Sequence, residues 1–351
     1  MVYDQNGASS VRKHAAARVV VDRENGIDAL RYLLIFTVIL GHVWPMVSGV
    51  APNSWWNLLY APAHTAVPFF FITAGYFLRP ERGGTFDVAI WTMRRLAPVY
   101  VLWVLIYWLL LLPRIADVQR FSFGQMLAGG MGYHLWFLPA LGLGLIAVSV
   151  SLRFASLRTV CAGGAALAVI GLMRGSYHNV LELPGESGRG ALLVAPAFIL
   201  IGVVIARVRP RRDWRLFGAL VLVCYALQVT EDSFIVANAH FRSGQNIDFT
   251  LMTVAFGTSV FLFARSLPSA ALAGPARLGR LTFSIYCVHL LIVYYLTDWL
   301  PGRGVAHAFV VSVVTLAVST ALALAYRGVV SSIASARAAR RPARVRPHRV
   351  R

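Results

Sequence analysis

Residues 26–45 read GIDALRYLLIFTVILGHVWP, an apolar run of helical length that contains Asp28, Arg31 and His42. At 100° per residue, the eleven steps from Arg31 to His42 complete three turns with about 20° to spare, so both side chains lie on one helix face, about 16 Å apart. Ionisable side chains at membrane depth are unfavourable and usually face a bundle interior or a wet pathway. The spacing therefore predicts a functional site in which both side chains point into one cavity; a structural pair is the alternative.

The composition is typical of a polytopic membrane protein. Of 351 residues, 58% are hydrophobic and 13% are charged, whereas soluble domains carry about a quarter charged residues. We predict one all-α membrane domain over residues 26–327, because no polar stretch outside the apolar runs is long enough for a soluble domain. It is flanked by a basic tail at 1–25 and an Arg-rich tail at 328–351, both expected to be cytoplasmic, solvated and attracted to anionic lipid.

Ten apolar runs are candidate transmembrane helices. They cover residues 27–47, 60–78, 93–112, 134–152, 159–173, 191–206, 216–230, 249–266, 281–298 and 305–326. For the short run at 159–173, a tilted or re-entrant segment is the alternative to a full span. If both termini are cytoplasmic, 26 of the 33 basic residues fall in the inner segments, as the positive-inside rule expects. The sequence thus predicts a multi-pass protein of the cell inner membrane.

Other function classes are disfavoured. The net charge of +19 would suggest nucleic acid in a soluble protein, but these basic residues lie between apolar runs, so we predict membrane lipid and no nucleic acid as a partner. Cys161, Cys224 and Cys287 lie in separate runs without ligand spacing, which predicts neither a disulfide framework nor a metal site. No zinc-protease, P-loop, Rossmann or nucleophile-elbow motif is present. The first run is expected to be retained, since it is too long and too charged for a signal peptide.

Five short motifs follow one another along the chain. They are Arg31-x10-His42 in the first run, FFFITAGYFL at 69–78, RRLAPVY at 94–100, HLWFL at 134–138 and SIYCVH at 284–289. In this order the sequence resembles the acyltransferase 3 family of integral membrane O-acyltransferases over residues 23–327. Each motif alone is weak, whereas five in order together with ten apolar runs form a specific pattern.

The resemblance implies transfer of an acyl group, commonly acetyl from acetyl-CoA, to a hydroxyl of a carbohydrate or glycosylated acceptor. It implies that His42 is the essential histidine and Arg31 its partner. An imidazole that takes the hydroxyl proton typically contributes about 10²- to 10⁴-fold. We expect direct general-base catalysis because no Ser or Cys nucleophile is evident nearby, although an acyl-enzyme intermediate stays open. Asp28 is expected to pair with Arg31; a topology-determining charge is the alternative.

The donor is expected to bind through arginines of the second inner segment. Coenzyme A is polyanionic and cytosolic, so its phosphates need guanidinium groups on the inner face, and the candidates are Arg82, Arg94 and Arg95. The family pattern usually carries an arginine where this sequence has Thr92, and Arg94 is the candidate substitute. The alternative is that these arginines only determine topology.

The remaining motifs supply candidates for acceptor binding. Trp136 offers a flat face for a sugar or acyl chain beside His134, and an interfacial anchor is the alternative. Ser284, Tyr286 and His289 match the last family motif, which implies binding of the acceptor or support of the site. A structural role for His289 stays open.

Two rivals belong to other classes. A proton-coupled carrier or flippase for a sugar or lipid-linked sugar could use the Arg31 and His42 pair, but no clear internal repeat with paired broken helices is visible. A membrane sensor or an amino-acid racemase partner domain, related to the same family, would require an attached soluble domain, which we do not expect from this sequence. The acceptor, the acyl length and the oligomeric state are left open by the sequence.

Overall fold

A computed structural model of the chain describes residues 24–49, 61–78, 85–111, 132–184, 190–238, 249–268 and 270–339. These residues form eleven α-helices and two short 3₁₀ helices, and no strand occurs among them. The α-helices are α1 (Asn25–Val47), α2 (Ala66–Phe77), α3 (Thr85–Leu111), α4 (Phe137–Phe154), α5 (Leu157–Arg174), α6 (Ala191–Val208), α7 (Trp214–Asn238), α8 (Leu251–Ser266), α9 (Ala273–Gly279), α10 (Thr282–Trp299) and α11 (Val305–Ala339). The 3₁₀ helices Ala61–Thr65 and Tyr133–Trp136 lead directly into α2 and α4.

A helix lies at each of the ten predicted runs, but they differ in length. Within the described residues, six helices are long and apolar enough to cross a membrane, and a seventh span results if α9 and α10, bent by 53°, are counted as one. The helices α6 and α8 are apolar but shorter, and α2 has only 12 residues, about 18 Å of helix. The structure is therefore that of an all-helical polytopic membrane protein, while ten spans and cytoplasmic termini stay predictions.

The last helix is longer than the sequence indicated. The run predicted at 305–326 continues as helix to Ala339, past the expected domain boundary at 327. Residues 328–339 contain no proline and consist mainly of small or apolar residues, so nothing in them interrupts helical hydrogen bonding. Residues 1–23 and 340–351, most of the two predicted tails, lie outside the described residues.

Two glycines bring α2 and α6 into backbone contact. A Cβ atom at Gly75 would overlap the main-chain oxygen of Ile199, and one at Gly202 would overlap that of Ile72. Small residues permit such close approach of helices within a membrane. The short α2 is thereby held inside the bundle, between α6 and α8.

Two hydrophobic clusters form the interior. The first joins α2, α4, α6 and α8, and the second joins α1, α3, α10 and α11. The hydroxyl oxygens of Tyr32 and Thr320 lie 3.1 Å apart and connect α1 to α11. Gly279, the last residue of α9, packs so closely on α1 that a Cβ atom there would overlap the main-chain oxygen of Asp28. The first helix is therefore fixed along its length by α9, α10 and α11.

Candidate active site

A cavity of about 1080 Å³ extends along α1. Its lining includes Arg31 near the start of the helix and His42 near its end, and their separation of eleven residues corresponds to about 16 Å. Val38 and Phe137 also line the cavity and pack against both hydrophobic clusters. The cavity thus lies between the two halves of the bundle, with one end marked by Arg31, the arginine end, and another marked by His42, the histidine end.

An ion pair occupies the arginine end. Nη1 of Arg31 donates a hydrogen bond to Oδ1 of Asp28 at 2.8 Å. The two residues are three positions apart on α1, a spacing that brings helix side chains together. Pairing offsets part of the unfavourable desolvation of both charges. Because the carboxylate of Asp28 holds it, the guanidinium of Arg31 has a defined position in the cavity wall.

Three histidines from distant parts of the chain meet at the histidine end. The ring centroid of His42 lies 5.3 Å from that of His289, with 29° between the ring planes, and 6.1 Å from that of His134. The rings of His134 and His289 are 4.9 Å apart, edge to face. The cluster is assembled from α1, the 3₁₀ helix before α4, and α10.

One backbone carbonyl fixes two of these rings. The main-chain oxygen of Tyr286 lies 3.0 Å from Nε2 of His134 and 2.8 Å from Nδ1 of His289. Since a carbonyl oxygen only accepts hydrogen bonds, both rings present an N–H group to it. In the neutral rings, Nδ1 of His134 and Nε2 of His289 then carry lone pairs. Both atoms are buried and have no hydrogen-bond partner among the described residues.

The ring of His42 is oriented by a tyrosine. The phenol oxygen of Tyr133 lies 3.1 Å from Nδ1 of His42, and the two rings pack edge to face. If Nδ1 donates to this oxygen, Nε2 carries the lone pair, because a neutral imidazole has one N–H group. The arrangement can therefore present a basic nitrogen in a fixed orientation.

A proline removes one helical hydrogen bond of α1 next to His42. Pro45 lies inside the helix and has no N–H group, so the Gly41 carbonyl cannot receive the usual helical hydrogen bond from residue 45. Both Gly41 and Pro45 line the cavity. The local sequence thus leaves the carbonyl of a cavity-lining residue next to His42 without its usual helical donor.

The predicted acceptor-binding residues lie in or directly behind the cavity lining. Trp136, Ser284 and Tyr286 line the cavity together with His134. The Trp136 ring packs edge to face against Phe249, another lining residue. Tyr286 also donates from its hydroxyl to the main-chain oxygen of His134 at 2.6 Å. His289 is fully buried and lies behind the lining, where its ring packs against those of His42 and His134.

The three predicted donor arginines differ in their relation to the cavity. Arg95 lines the cavity, and its guanidinium lies 5.1 Å from the centre of the Trp91 ring. Arg94 is exposed on α3 and does not line the cavity, because neighbouring residues on a helix point about 100° apart. Arg82 lies outside the described residues.

Four of the cavity-lining residues that sequence reasoning missed carry a phenol or guanidinium group. They are Tyr133, Arg280, Tyr326 and Arg327. Tyr133 directly precedes a recognised motif and Arg280 lies four residues before another, so proximity to these motifs was the signal that could have identified them. Arg280 and Arg327 were counted only as topology signals, since charge indicates a side of the membrane and not the direction of a side chain. Within the described residues, no group of His, Cys, Asp and Glu side chains has a geometry suited to a metal ion.

Comparisons with known proteins agree with the resemblance. A family model described as an acyltransferase domain matches residues 24–324. An amino-acid racemase of Enterococcus faecalis is 22% identical over 302 residues, which cover 80% of this chain and 43% of that protein. A serine/alanine racemase of Enterococcus gallinarum is 24% identical over 220 residues, which cover 54% of this chain and 30% of that protein. The chain spans less than half the length of these relatives, and no solved structure matches it.

The matched range contains Asp28 and Arg31 at one end of the cavity and all three histidines at the other. Because the family model covers most of the sequence and the helices that form this cavity, the protein belongs to the acyltransferase 3 family.

Proposed function

We propose that this membrane acyltransferase moves an acyl group, in the simplest case acetyl, from acyl-CoA to a hydroxyl of a carbohydrate or glycosylated acceptor, with His42 as the general base. Membership of the family supports acyl transfer at the membrane. The observation that carries the finer proposal is the position of His42, whose imidazole lines the cavity and is held by Tyr133.

The residues around His42 favour direct transfer. Nε2 of His42 takes the proton of the acceptor hydroxyl while the hydroxyl oxygen attacks the thioester carbonyl. The carbon–sulfur bond then breaks, and the proton passes from His42 to the departing thiolate, so that the products are an ester and free coenzyme A. The described ring neighbours of His42 are Tyr133, His134 and His289, which suits a base more than a relay to a nucleophilic side chain.

The acceptor would occupy the histidine end. Trp136 provides an aromatic face on which the apolar side of a sugar ring can pack. The Gly41 carbonyl can accept a hydrogen bond from a second hydroxyl of the acceptor, since it receives none from residue 45. Trp136 and Gly41 line the same cavity as His42. This combination supports a polyhydroxylated acceptor.

The donor would extend from the arginine end. Arg95 and the ion pair of Arg31 with Asp28 line that part of the cavity. The phosphates of coenzyme A are anions that guanidinium groups bind well. A thioester held there can reach His42 along the length of α1. We place this end on the cytoplasmic side, as the distribution of basic residues predicts.

The first test removes the imidazole. His42→Ala should reach the membrane and fold but lose thiol release from acetyl-CoA in vesicles supplied with a panel of methyl glycosides, because no base remains to take the hydroxyl proton. His307→Ala is the matched control, since His307 contacts the main-chain oxygen of Leu300 and does not line the cavity. Full activity of His42→Ala would contradict the mechanism.

A carrier is the second candidate, because the elongated cavity approaches both ends of α1. A carrier should move solute across vesicles without any thioester, whereas an acyltransferase should require it. Serine and alanine belong among the solutes and acceptors tested, since a relative is named a serine/alanine racemase. Solute uptake without acyl-CoA would favour the carrier.

A further inference from the structure

Three arginines from three different helices or turns line the arginine end of the cavity. Arg95 belongs to α3, Arg280 lies at the bend between α9 and α10, and Arg327 belongs to α11. Arg95 precedes Tyr107, whose ring contacts His134, by twelve residues, or about 18 Å of helix. Arg280 precedes His289 by nine residues, or about 13 Å. Both guanidinium groups therefore start far from the histidine cluster.

The position of Arg327 follows from the contact between the first and last helices. The hydroxyls of Tyr32 and Thr320 are 3.1 Å apart, and Arg327 lies seven residues, about 10 Å, beyond Thr320. The N-terminal end of α1 lies the same distance before Tyr32. Gly279 packs on the main-chain oxygen of Asp28, which brings the next residue, Arg280, to the same end of α1. Arg280 and Arg327 thus lie near the beginning of the first helix, and Arg95 lines the same cavity.

The acidic groups at this end are already engaged. Asp28 binds Arg31, and Oε1 of Glu24 accepts hydrogen bonds from Arg212 at 2.8 Å and from the Tyr76 hydroxyl at 2.6 Å, while Oε2 of Glu24 is buried without a hydrogen-bond partner among the described residues. Among the residues that the structure describes, none of the three arginines forms a salt bridge, and Nε of Arg280 is buried without a hydrogen-bond partner. A buried guanidinium nitrogen without a partner is unfavourable, so this end is suited to an anion.

An exposed aromatic ring adjoins the arginines. Tyr326 is 67% exposed although it lines the cavity, and it directly precedes Arg327 on α11. Aromatic side chains next to cationic groups form stacking surfaces for nucleobases. An aromatic face beside several guanidinium groups therefore fits a nucleotide better than it fits inorganic phosphate.

We infer that Arg95, Arg280, Tyr326 and Arg327 form a nucleotide-handle site, which binds the phosphorylated adenosine of the thioester donor. The guanidinium groups bind its phosphates, and Tyr326 stacks on the base. This inference rests on the proposed function, which supplies acyl-CoA as the donor. It assigns the donor handle mainly to the α9–α10 bend and to the last helix, rather than to the adjacent arginine pair of α3.

The experiment compares two acyl donors that share the thioester, of which only one carries the phosphorylated adenosine. Arg280→Gln and Arg327→Gln should each raise the KM for acetyl-CoA about tenfold or more, since a charge-assisted hydrogen bond is lost, with little change in kcat. Activity with S-acetyl-N-acetylcysteamine, which lacks nucleotide and phosphates, should be unchanged. Arg277→Gln removes the same charge from an exposed position on α9 outside the cavity lining and should behave as wild type. An equal loss with both donors, or an equal effect of Arg277→Gln, would overturn the inference.

Direct binding separates this inference from the proposed reaction. Adenosine 3′,5′-bisphosphate should bind the full chain in nanodiscs of phosphatidylcholine, and Arg280→Gln, Arg327→Gln and Tyr326→Ala should weaken that binding. If the bisphosphate binds through these residues but no acyl transfer occurs from either donor, the proposed function is contradicted and the nucleotide-handle site is supported. If wild type binds no bisphosphate, and these arginines instead retain phosphatidylglycerol, the site holds a lipid headgroup and the inference fails.

Discussion

The main-chain oxygen of Tyr286 accepts hydrogen bonds from His134 and His289, so a single backbone atom determines the tautomers of two buried imidazoles. These rings contact His42 on two sides. Both neighbouring rings are held by this carbonyl, so His42 packs against two rings of fixed orientation. Of these three histidines, His42 and His134 line the cavity and His289 lies behind them.

The orientation of His42 should depend on Tyr133. Tyr133→Phe removes the oxygen 3.1 Å from Nδ1 of His42 while keeping the ring contact. We expect kcat to fall about 10- to 100-fold, as is usual when a group that orients a functional histidine is lost, with the KM for acetyl-CoA unchanged. The measurement is steady-state thiol release, with the pH dependence of kcat recorded for both proteins.

Tyr295→Phe is the matched control for this substitution. The Tyr295 hydroxyl donates to the main-chain oxygen of Leu110 and does not line the cavity, so wild-type kcat is expected. A wild-type kcat for Tyr133→Phe, with an unaltered pH profile, would exclude an orienting role for the phenol.

Local contacts among the site residues could be predicted, and distant contacts could not. The ion pair of Asp28 with Arg31 and the shared face of Arg31 and His42 follow from the helical period within one element. The stacking of His42 on His289 depends on how α1 packs against α10, and no period in the sequence specifies that packing. The difference between Arg94 and Arg95 likewise depends on the rotation of α3 about its own axis.

At the scale of the element, the bend between α9 and α10 positions the nucleotide-handle site. The two helices meet at 53°, and the close contact of Gly279 with Asp28 fixes the bend against α1. Arg280 is the first residue after that contact. The direction of its side chain is therefore set by a glycine that carries no chemistry of its own.

A side chain at Gly279 should damage both stability and donor binding. Gly279→Val forces α9 away from α1, because the new Cβ would overlap the oxygen of Asp28. Overpacking of this kind typically destabilises by about 1–3 kcal/mol, so the melting temperature should fall, and binding of adenosine 3′,5′-bisphosphate should weaken.

Gly274→Ala provides the comparison within the same helix, since nothing lies within 4 Å of a Cβ atom at Gly274. It should melt at the wild-type temperature or above it, because alanine favours helix more than glycine does. Equal melting temperatures for Gly279→Val and wild type would show that the contact with α1 is not needed for the fold.

Apolar runs predicted where helices occur better than how long they are. The run at 60–78 is divided into a 3₁₀ helix and the 12-residue α2. The sequence did not predict this division, because hydropathy does not distinguish a short buried helix from a membrane span. The run at 305–326 is part of a helix of 35 residues. The helix continues through Arg327, which lines the cavity, so the end of an apolar run indicated neither the end of the helix nor the direction of this side chain.

At the scale of the whole molecule, the cavity lies between two hydrophobic clusters and follows α1 from the ion pair to the histidines. Residue 277 lies in α9, near the arginine end of the cavity, and residue 303 follows the other end of α10. The 18 residues of α10 extend about 27 Å, close to the thickness of a bilayer core. The predicted orientation places residue 277 inside and residue 303 outside.

Cysteine labelling checks this orientation. In a background with the three native cysteines replaced, Arg303→Cys should react with a membrane-impermeant maleimide in intact cells, because both the position and the loop are exposed. Arg277→Cys, also exposed, should react only after the membrane is opened. The reverse pattern would place the arginine end of the cavity outside and would reject a cytosolic donor.

The separation of about 16 Å between Arg31 and His42 also bears on reaction order. If the two substrates enter from opposite faces of the membrane, they can bind in either order, and each product leaves by a separate route. Free coenzyme A should then compete with its acylated form but not with the alcohol. Such an enzyme would keep modifying molecules on one side of the membrane without exchanging them for the cytosolic pool on the other.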